Sequence, residues 1–179
     1  MKILFVSSEC APFSKSGGLA DVAFSLPPAL QKTGDDMAIV TPMYRVTQEN
    51  YGDEFERIKT CQIVLGQRRL ACSLYRGALN GVTVYAIGNE HLFHRPRLYG
   101  YGDDSLRFAF FCRAVIDLLP EFGDLPDILH CNDWETALAI LYACCSFHGR
   151  TLLSNGFIAA AYLDYITLSA IVEISDFYP

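Results

Sequence analysis

The sequence is poor in charged residues, and it lacks the surplus of lysine and arginine that nucleic-acid-binding domains carry. Of its 179 residues only 19% are charged, and the formal net charge is −6. A protein that binds DNA or RNA needs a broad cationic surface to meet the phosphate backbone. The composition therefore argues against a nucleic-acid partner, while a local basic pocket for one small anion is compatible with it.

Long hydrophobic runs are absent as well. The first apolar run, Ile3–Val6, is too short for the hydrophobic region of an export signal. The most apolar later stretch, residues 157–174, is shorter than a typical bilayer span and contains Asp164 and Glu173. Because charges are costly inside a membrane span, no membrane partner is expected.

Paired cysteine motifs are also lacking. The chain has seven cysteines, an odd number, and no C-x-x-C pair of the kind found in zinc ribbons and redox motifs. Several lie in apolar runs, where cysteine behaves as a small hydrophobic residue. This usage is typical of a reducing compartment and predicts a cytoplasmic protein.

The residues that are abundant are apolar: 51% of the chain is hydrophobic, which is ample for a packed core in one domain. Residues 2–7 read as a buried parallel strand, Leu19–Lys32 as an amphipathic helix ended by Gly34, and residues 37–41 as a second buried strand. Pro27-Pro28 predicts a kink or a restart within that helix. The pattern is a β-loop-α-β unit, and it predicts a Rossmann-like α/β fold, a parallel sheet with helices on both faces.

The middle of the chain is rich in β-forming residues, and Asn80-Gly81 is a strong tight-turn signal. We expect a small antiparallel excursion there, followed by a return to alternating helices and strands. The predicted strands are residues 58–65, 69–75, 82–87, 127–130, 151–154 and 170–174, and the predicted helices are residues 104–119, 134–147 and 157–165.

The first motif that can carry chemistry is Lys15–Asp21, which contains Gly17-Gly18 at the start of the predicted helix. The glycines allow backbone conformations closed to other residues and let a ligand come close. The helix start offers unpaired N–H groups and a positive dipole end, and Lys15 adds a charge, so the loop suits a phosphate or diphosphate. It is neither a Walker motif nor G-x-G-x-x-G. The alternative is a simple Gly-Gly turn with a solvated lysine.

The second motif is His130–Trp134, at the carboxyl end of a predicted parallel strand, where open α/β sheets bind ligands. Asp133 could hydrogen-bond sugar hydroxyls. Equally, Asp133 could be only a helix cap, Trp134 only a core residue, and His130 a satisfied core histidine.

The third motif is the loop His91–Pro96, with Tyr99 and Tyr101 close behind. Aromatic rings with polar tips suit a carbohydrate-binding groove, but they are also common on ordinary surface loops. A metal site would need a third ligand beside His91 and His94, and the sequence offers none, so no metal is expected.

Together these motifs resemble the bacterial glycogen synthase and plant starch synthase family, over residues 1 to about 145. The segments that carry the resemblance are Ile3–Glu9, Pro12, Lys15–Val22, His91–Phe93, Arg95–Pro96, Tyr99–Gly100, Arg107–Phe111 and Asp127–Ala137. The resemblance implies a glucosyltransferase that moves glucose from ADP-glucose to the non-reducing end of an α-1,4-glucan, with retention of configuration. It also implies that this chain is the amino-terminal one of two Rossmann-like domains that face each other across a cleft.

The resemblance assigns roles to individual residues. Lys15, Gly17 and Gly18 would lie against the phosphates of the donor. Asp21 and Asp133 would lie close to the reacting sugar. Tyr99 would line the sugar pocket. No cofactor or metal is implied, because a cationic pocket neutralises the leaving group.

The sequence departs from the family near its end. The family continues after the second motif into a strand that ends in Thr-x-His-Asn, whereas residues 151–155 here lack that histidine, and the carboxyl-terminal domain is not in the chain. We therefore expect residues 1–150 to be the amino-terminal catalytic domain and residues 151–179 to be a divergent end of it. Half of the cleft cannot exclude water, so the chain alone is expected to be inactive. The alternatives are a non-catalytic module that binds glucan or nucleotide sugar, and one half of a split synthase completed by a separately encoded carboxyl-terminal domain.

Overall fold

The computed structural model describes residues 1–147, 158–159 and 169–170. Its strands are β1 Lys2–Val6, β2 Asp36–Pro42, β3 Glu56–Leu65, β4 Arg68–Leu79, β5 Val82–Gly88, β6 Ile128–Asn132, β7 Ile158–Ala159 and β8 Ser169–Ala170. Its α-helices are α1 Leu19–Lys32, α2 Arg45–Tyr51, α3 Glu90–Phe93, α4 Asp104–Asp117 and α5 Ala137–Phe147. Short 3-10 turns occupy Gly52–Glu54, Leu119–Glu121 and Trp134–Thr136.

All the strands belong to one sheet, whose order is β3-β4-β5-β2-β1-β6-β7, with β8 also pairing with β6. The central strands β5, β2, β1 and β6 run parallel. The strands β3 and β4 extend the sheet as an antiparallel hairpin beside β5. The predicted excursion is therefore confirmed, and it continues the main sheet instead of forming a separate one.

The core lies on both faces of this sheet, as predicted for a doubly wound fold. On β1, Leu4 and Val6 belong to a cluster that includes α4 and α5, while Ile3 and Phe5 belong to a second cluster that includes α1. This alternation follows from the two-residue period of a strand. Within the described part of the chain, no helix combines the length and apolar character needed to cross a bilayer.

The helix α1 begins and ends where the sequence predicts, but it continues through Pro27 and Pro28 without a restart. Proline has a helical φ, so it removes a hydrogen bond without forcing the helix to stop, and burial of both rings against the sheet holds the segment in place. Gly34 ends the helix with φ 105°. The Asn80-Gly81 turn joins β4 to β5 with φ values of 50° and 87°, as a hairpin turn of this dipeptide requires.

Three differences from the sequence predictions concern short elements. The predicted loop His91–Pro96 begins within the short helix α3, which Asn89 caps by accepting from the N–H groups of His91 and Leu92. The helix α2 was not predicted, because its seven residues are mostly polar and show little apolar periodicity. The predicted helix 157–165 is wrong at residues 158–159, which pair with β6 as a strand. Ala170 is in a strand, as predicted. The remainder of these two predicted elements and the predicted strand 151–154 lie outside the described residues.

Candidate active site

The order of the strands places a crevice at the carboxyl ends of β1 and β6. The first crossover leads from β1 to β2 on one side, and the chain later returns to β6 on the other side of β1. Open α/β sheets bind ligands at such a reversal of strand order. The amide of Asn132 donates to the carbonyl oxygen of Val6 at 3.0 Å, so the segments that follow these two strands emerge side by side.

A buried glutamate, Glu9, holds the glycine-containing loop in place. Its side chain is almost inaccessible to solvent. Oε2 accepts hydrogen bonds from the backbone N–H groups of Ser16 and Gly17 at 2.6 and 3.2 Å. Oε1 accepts from the hydroxyls of Ser16 and Tyr99 at 2.6 and 2.8 Å. One carboxylate therefore ties together the first motif and Tyr99 of the third motif, which are far apart in the sequence.

The two glycines provide space rather than an unusual backbone conformation. Gly18 lies in the right-handed helical region, with φ −72° and ψ −21°, and Gly17 is not in the left-handed region either. The two glycines therefore do not use the left-handed conformations that glycine allows. A β-carbon at either position would have no heavy atom within 4 Å. The backbone is thus open to close approach by a ligand.

The amino terminus of α1 opens into this space. Among residues 1–147, no acceptor bonds to the backbone N–H groups of Gly18, Leu19 and Ala20. Gly18 also caps the helix without a side-chain hydrogen bond. Unpaired N–H groups at a 14-residue helix, together with its dipole, form a favourable environment for an anion.

Lys15 and Asp21 form an ion pair beside this helix terminus. Nζ of Lys15 lies 2.6 Å from Oδ1 of Asp21, and the two side chains are 52% and 60% exposed. Lys15 is thus both exposed to solvent and ion-paired. Because exposed ion pairs are weak, an incoming anion can compete for the ammonium group.

Tyr99 shares Oε1 of Glu9 with the hydroxyl of Ser16. Its hydroxyl donates to Glu9 and lies 3.0 Å from Oγ of Ser8. Burial raises the pKa of the Tyr99 phenol, so the group stays neutral and keeps its donor role. The ring packs 5.7 Å from that of Phe108, which in turn contacts Trp134 at 5.3 Å.

A fully buried arginine, Arg107, braces the loop that carries Tyr99. Its Nε donates to the carbonyl oxygen of Leu92 at 2.6 Å, and its Nη1 donates to that of Leu98 at 3.0 Å. It also forms an ion pair with Asp104. The conformation of this loop therefore depends on α4, which carries both charged groups.

Asp133 occupies a strained backbone conformation at the end of β6, with φ 64° and ψ 176°. This region is essentially restricted to glycine, and such strain is concentrated at functional sites. The side chain accepts a hydrogen bond from the N–H of Trp134 at 2.7 Å and caps the short 3-10 turn that follows. Trp134 is 48% exposed, so the alternative that it is a core residue is wrong.

The histidines of the second and third motifs have structural surroundings. The ring of His130 packs at 4.8 Å against Phe5, and burial lowers its pKa, as expected for a packed histidine. His94 lies 3.3 Å from Oε1 of Gln48. Within the described residues, no group of three His, Cys, Asp or Glu side chains could hold a metal ion.

The motif residues thus form two linked pairs, with Asp133 separate from both. Lys15 and Asp21 contact each other, and Gly17 and Tyr99 are joined through Glu9. Asp133 bonds to neither pair and reaches the same crevice only because β6 lies beside β1. The sequence reasoning missed Glu9 as a functional residue. Its place between a buried strand and the glycine pair was the available signal.

A second residue missed from the sequence is Glu135, whose carboxyl group is buried beside the crevice. The side chain is almost fully inaccessible, and within the described residues nothing hydrogen-bonds to its Oε2. Burial raises the pKa of Glu135 from 4.5 to about 7, and the charges of Asp133 and Glu9 raise it as well. The carboxyl group is therefore partly protonated at neutral pH.

This raised pKa predicts that Glu135 destabilises the protein at alkaline pH. The folded state holds the proton more tightly than the unfolded state, so stability falls as the pH rises from about 4.5 through about 7. A difference of between two and three pKa units corresponds to about 3 kcal/mol. We expect Glu135→Gln to raise the free energy of unfolding by up to about 3 kcal/mol at pH 8 and by much less at pH 4.5. Urea unfolding at both pH values measures this change in the free energy of unfolding. An equal change at both pH values would contradict a raised pKa for Glu135.

Comparison with known proteins identifies the family. The family model described as the starch synthase catalytic domain matches residues 2–155. The glycogen synthase of Geobacillus thermodenitrificans is 45% identical over 138 residues, which are 77% of this chain and 28% of that protein. The glycogen synthase of Clostridium kluyveri is 46% identical over 143 residues, 79% of this chain and 30% of that protein. The chain thus spans less than a third of the length of these relatives.

A solved structure has the same fold. The catalytic domain of starch synthase IV from Arabidopsis thaliana, bound to ADP and acarbose, is 30% identical and superposes with a TM-score of 0.71. The alignment covers 87% of this chain and 31% of that one. By its sequence, its sheet topology and its match to the family model over most of its length, this chain belongs to the starch synthase catalytic domain family.

Proposed function

We propose that this chain forms the donor-phosphate side of the active site of a glucosyltransferase that moves glucose from ADP-glucose to an α-1,4-glucan. The observation that carries the proposal is the loop held by Glu9, which leaves the N–H groups of Gly18 and Leu19 open at the end of a long helix. The related starch synthase IV binds ADP and acarbose, a nucleotide and a sugar-like compound. A site that accepts a diphosphate beside a sugar has the chemistry this reaction requires.

In this proposal the loop acts on the leaving group. As the bond between C1 of glucose and the diphosphate oxygen breaks, ADP leaves with the bonding electrons and gains negative charge. The N–H groups of α1 and the Lys15 ammonium stabilise that charge from fixed positions. The C1 atom forms its new bond to a hydroxyl of the glucan, whose proton goes to an oxygen of the departing diphosphate. Asp21, Asp133 and Tyr99 are proposed to contact the sugar side.

We further propose that turnover needs a second lobe opposite the crevice. In the part of the chain that the structure describes, no heavy atom would contact a β-carbon at Gly17 or Gly18, and Trp134, next to Asp133, is exposed. A single open face cannot exclude water from the reacting groups. We propose a carboxyl-terminal domain as that lobe, whether on the same chain or on another. The free thiols favour a reducing, cytoplasmic location.

The binding role of Lys15 is tested on the 179-residue chain with ADP, by calorimetry at low ionic strength. We expect weak binding by the wild-type chain, because only one side of the donor is contacted. Lys15→Gln should weaken it by about fivefold to tenfold, the loss of one charge-assisted contact of about 1–1.5 kcal/mol. Lys32→Gln removes an exposed lysine from the far end of the same helix and serves as the matched control. Equal losses of ADP affinity in the two variants would contradict a local contact at Lys15. Such a result would mean that only the net charge of the chain matters.

Asp21→Asn has the opposite expected effect on ADP binding by this chain. It frees Lys15 from a competing carboxylate and removes a negative charge from the anion site. Since an exposed ion pair is worth up to about 1 kcal/mol, affinity should rise by a factor of up to about five. A clear loss of affinity in the same calorimetric titration would show that Asp21 binds the ligand directly and that Lys15 is not its competitor.

A transfer assay with ADP-glucose and glycogen tests the remainder of the proposal. The chain alone should release no ADP at ordinary enzyme rates while still binding ADP at the Lys15 loop. Rapid turnover by the purified chain would refute the need for a second lobe. Failure to bind ADP in a folded chain would refute the donor-site assignment.

A further inference from the structure

Two cysteines, Cys61 and Cys72, face each other on the antiparallel hairpin at the edge of the sheet. They are directly paired in the register of β3 and β4. Both contribute to the same apolar cluster, so their side chains lie on the same face of the sheet. Directly opposed residues in such a ladder have Cα atoms about 4.5 to 5.5 Å apart, within the range that a disulfide spans.

The two thiols differ in accessibility. Cys72 is 1% exposed, whereas Cys61 is only partly buried on the outermost strand. Burial raises the pKa of the Cys72 thiol, and the adjacent Cys61 raises it further. Cys61 is therefore the thiol that an external reagent reaches, and Cys72 is the protected neighbour that can react only with it.

We propose that Cys61 and Cys72 form a reversible disulfide that locks the edge hairpin when the protein meets a disulfide oxidant such as glutathione disulfide. The Cys61 thiolate attacks one sulfur of glutathione disulfide and releases one glutathione thiolate, leaving a mixed disulfide. The Cys72 thiolate then attacks the Cys61 sulfur and releases the second glutathione. Two protein thiols lose two electrons and two protons, and one glutathione disulfide becomes two glutathione molecules.

The other cysteines whose burial the structure describes do not have this arrangement. Cys144 is partly accessible, but it lies on the helix α5 and not in a strand ladder. Cys10, Cys112 and Cys131 are fully inaccessible, so no external disulfide reaches them in the folded protein. None of them has a cysteine opposite it in a strand register. The hairpin pair is thus distinguished by both proximity and access.

The disulfide would stiffen a segment that leads towards the loop of Tyr99. The side chain of Asn89, which begins that loop, donates to the carbonyl oxygen of Ala71 at 2.6 Å. Ala71 directly precedes Cys72. The bond therefore fixes the strand on which the start of the loop rests, at a distance from the proposed phosphate contacts.

Trypsin offers a direct test, because it separates the two cysteines into peptides 60–68 and 70–76. The native chain is incubated with glutathione disulfide, its remaining thiols are alkylated in denaturant, and the digest is analysed without reduction. We expect one cross-linked species that contains both peptides, in most of the molecules, and its disappearance after incubation with reduced glutathione. Absence of this species, or its formation to the same extent in urea, would overturn the proposal.

Three single variants establish the order of the steps. Cys72→Ser should stop the reaction at a glutathione adduct on Cys61, and Cys61→Ser should leave Cys72 unmodified. Cys144→Ser, which alters a thiol on α5, should leave the cross-link unchanged. A glutathione adduct on Cys72 in the folded Cys61→Ser variant would contradict the assigned roles. Circular dichroism verifies that each variant is folded, and none of these results depends on the proposed transferase activity.

Discussion

Replacing Glu9 with alanine is expected to disorganise the loop Lys15–Gly18 and to cost about 2–3 kcal/mol of stability. The change leaves the N–H groups of Ser16 and Gly17 and the hydroxyl of Tyr99 without their acceptor. Removal of one partner from buried hydrogen bonds costs about 1–3 kcal/mol for each group that cannot reach water. ADP affinity should fall at least tenfold, because the open N–H groups of α1 no longer have a fixed position.

Glu9→Gln provides the matched control. Its amide oxygen can take the place of Oε2 and accept hydrogen bonds from the two backbone N–H groups, which can only donate. Its NH2 group then faces the hydroxyls of Ser16 and Tyr99, which can rotate to accept. We expect ADP affinity within about threefold of wild type and a loss of about 1 kcal/mol. Urea unfolding and calorimetry measure both quantities, and equal losses in the two variants would contradict the hydrogen-bonding role.

The second large effect is expected for Arg107→Met. The side chain is fully buried, and its removal leaves Oδ1 of Asp104 and the carbonyls of Leu92 and Leu98 without their donor. Breaking a buried ion pair from one side costs about 3–5 kcal/mol. For a domain of this size, that corresponds to a fall in Tm of roughly 10 °C. The loop that positions Tyr99 should become accessible to proteases, because two of its carbonyls lose their donor.

Arg113→Met is the control on the same helix. Arg113 pairs with Asp117 one turn along α4, but at the surface, where such pairs are worth less than about 1 kcal/mol. The Tm should therefore change by less than about 4 °C. A similar loss in both variants, measured by thermal unfolding, would mean that Arg107 acts only through helix propensity or charge.

Acid unfolding provides an independent measure of the Arg107 brace. Burial opposes ionisation of Asp104, but hydrogen bonds from Arg107 and from the N–H groups of Gly100 and Tyr101 hold its pKa below 3.8. A lowered folded-state pKa contributes stability above the unfolded-state pKa, and this contribution is lost as the pH falls. Part of this contribution should disappear in Arg107→Met. The free energy of unfolding of that variant should therefore depend less on pH below about 4.

Local patterns in the sequence predict most of the fold. The bounds of α1 follow from its apolar spacing and from Gly34, and the β4–β5 turn follows from Asn80-Gly81. The same reasoning could not find α2, because it is short and polar and is held by its neighbours rather than by an apolar stripe. The helix predicted over residues 157–165 is wrong at residues 158–159, because an apolar run can pair with a sheet edge as well as form a helix.

The site was predictable in its motifs but not in its connections. The sequence allows Lys15, Gly17 and Gly18 to be proposed as an anion-binding loop, yet the residue that holds this loop is a charged side chain from the preceding segment. Burial of Glu9 and Glu135 depends on tertiary packing, which composition does not reveal. The positive φ of Asp133 likewise results from the tight junction between β6 and the following turn.

NMR mapping of the backbone amides is the sharpest test of the donor-phosphate assignment, since it reports which backbone N–H groups meet the ligand. The isotope-labelled chain is titrated with ADP, and the shifts of its backbone amides are followed. We expect the largest changes at Gly18, Leu19 and Ala20, and we expect these changes to be lost in Glu9→Ala but retained in Glu9→Gln. Binding of ADP that leaves these three amides unshifted would contradict the assignment.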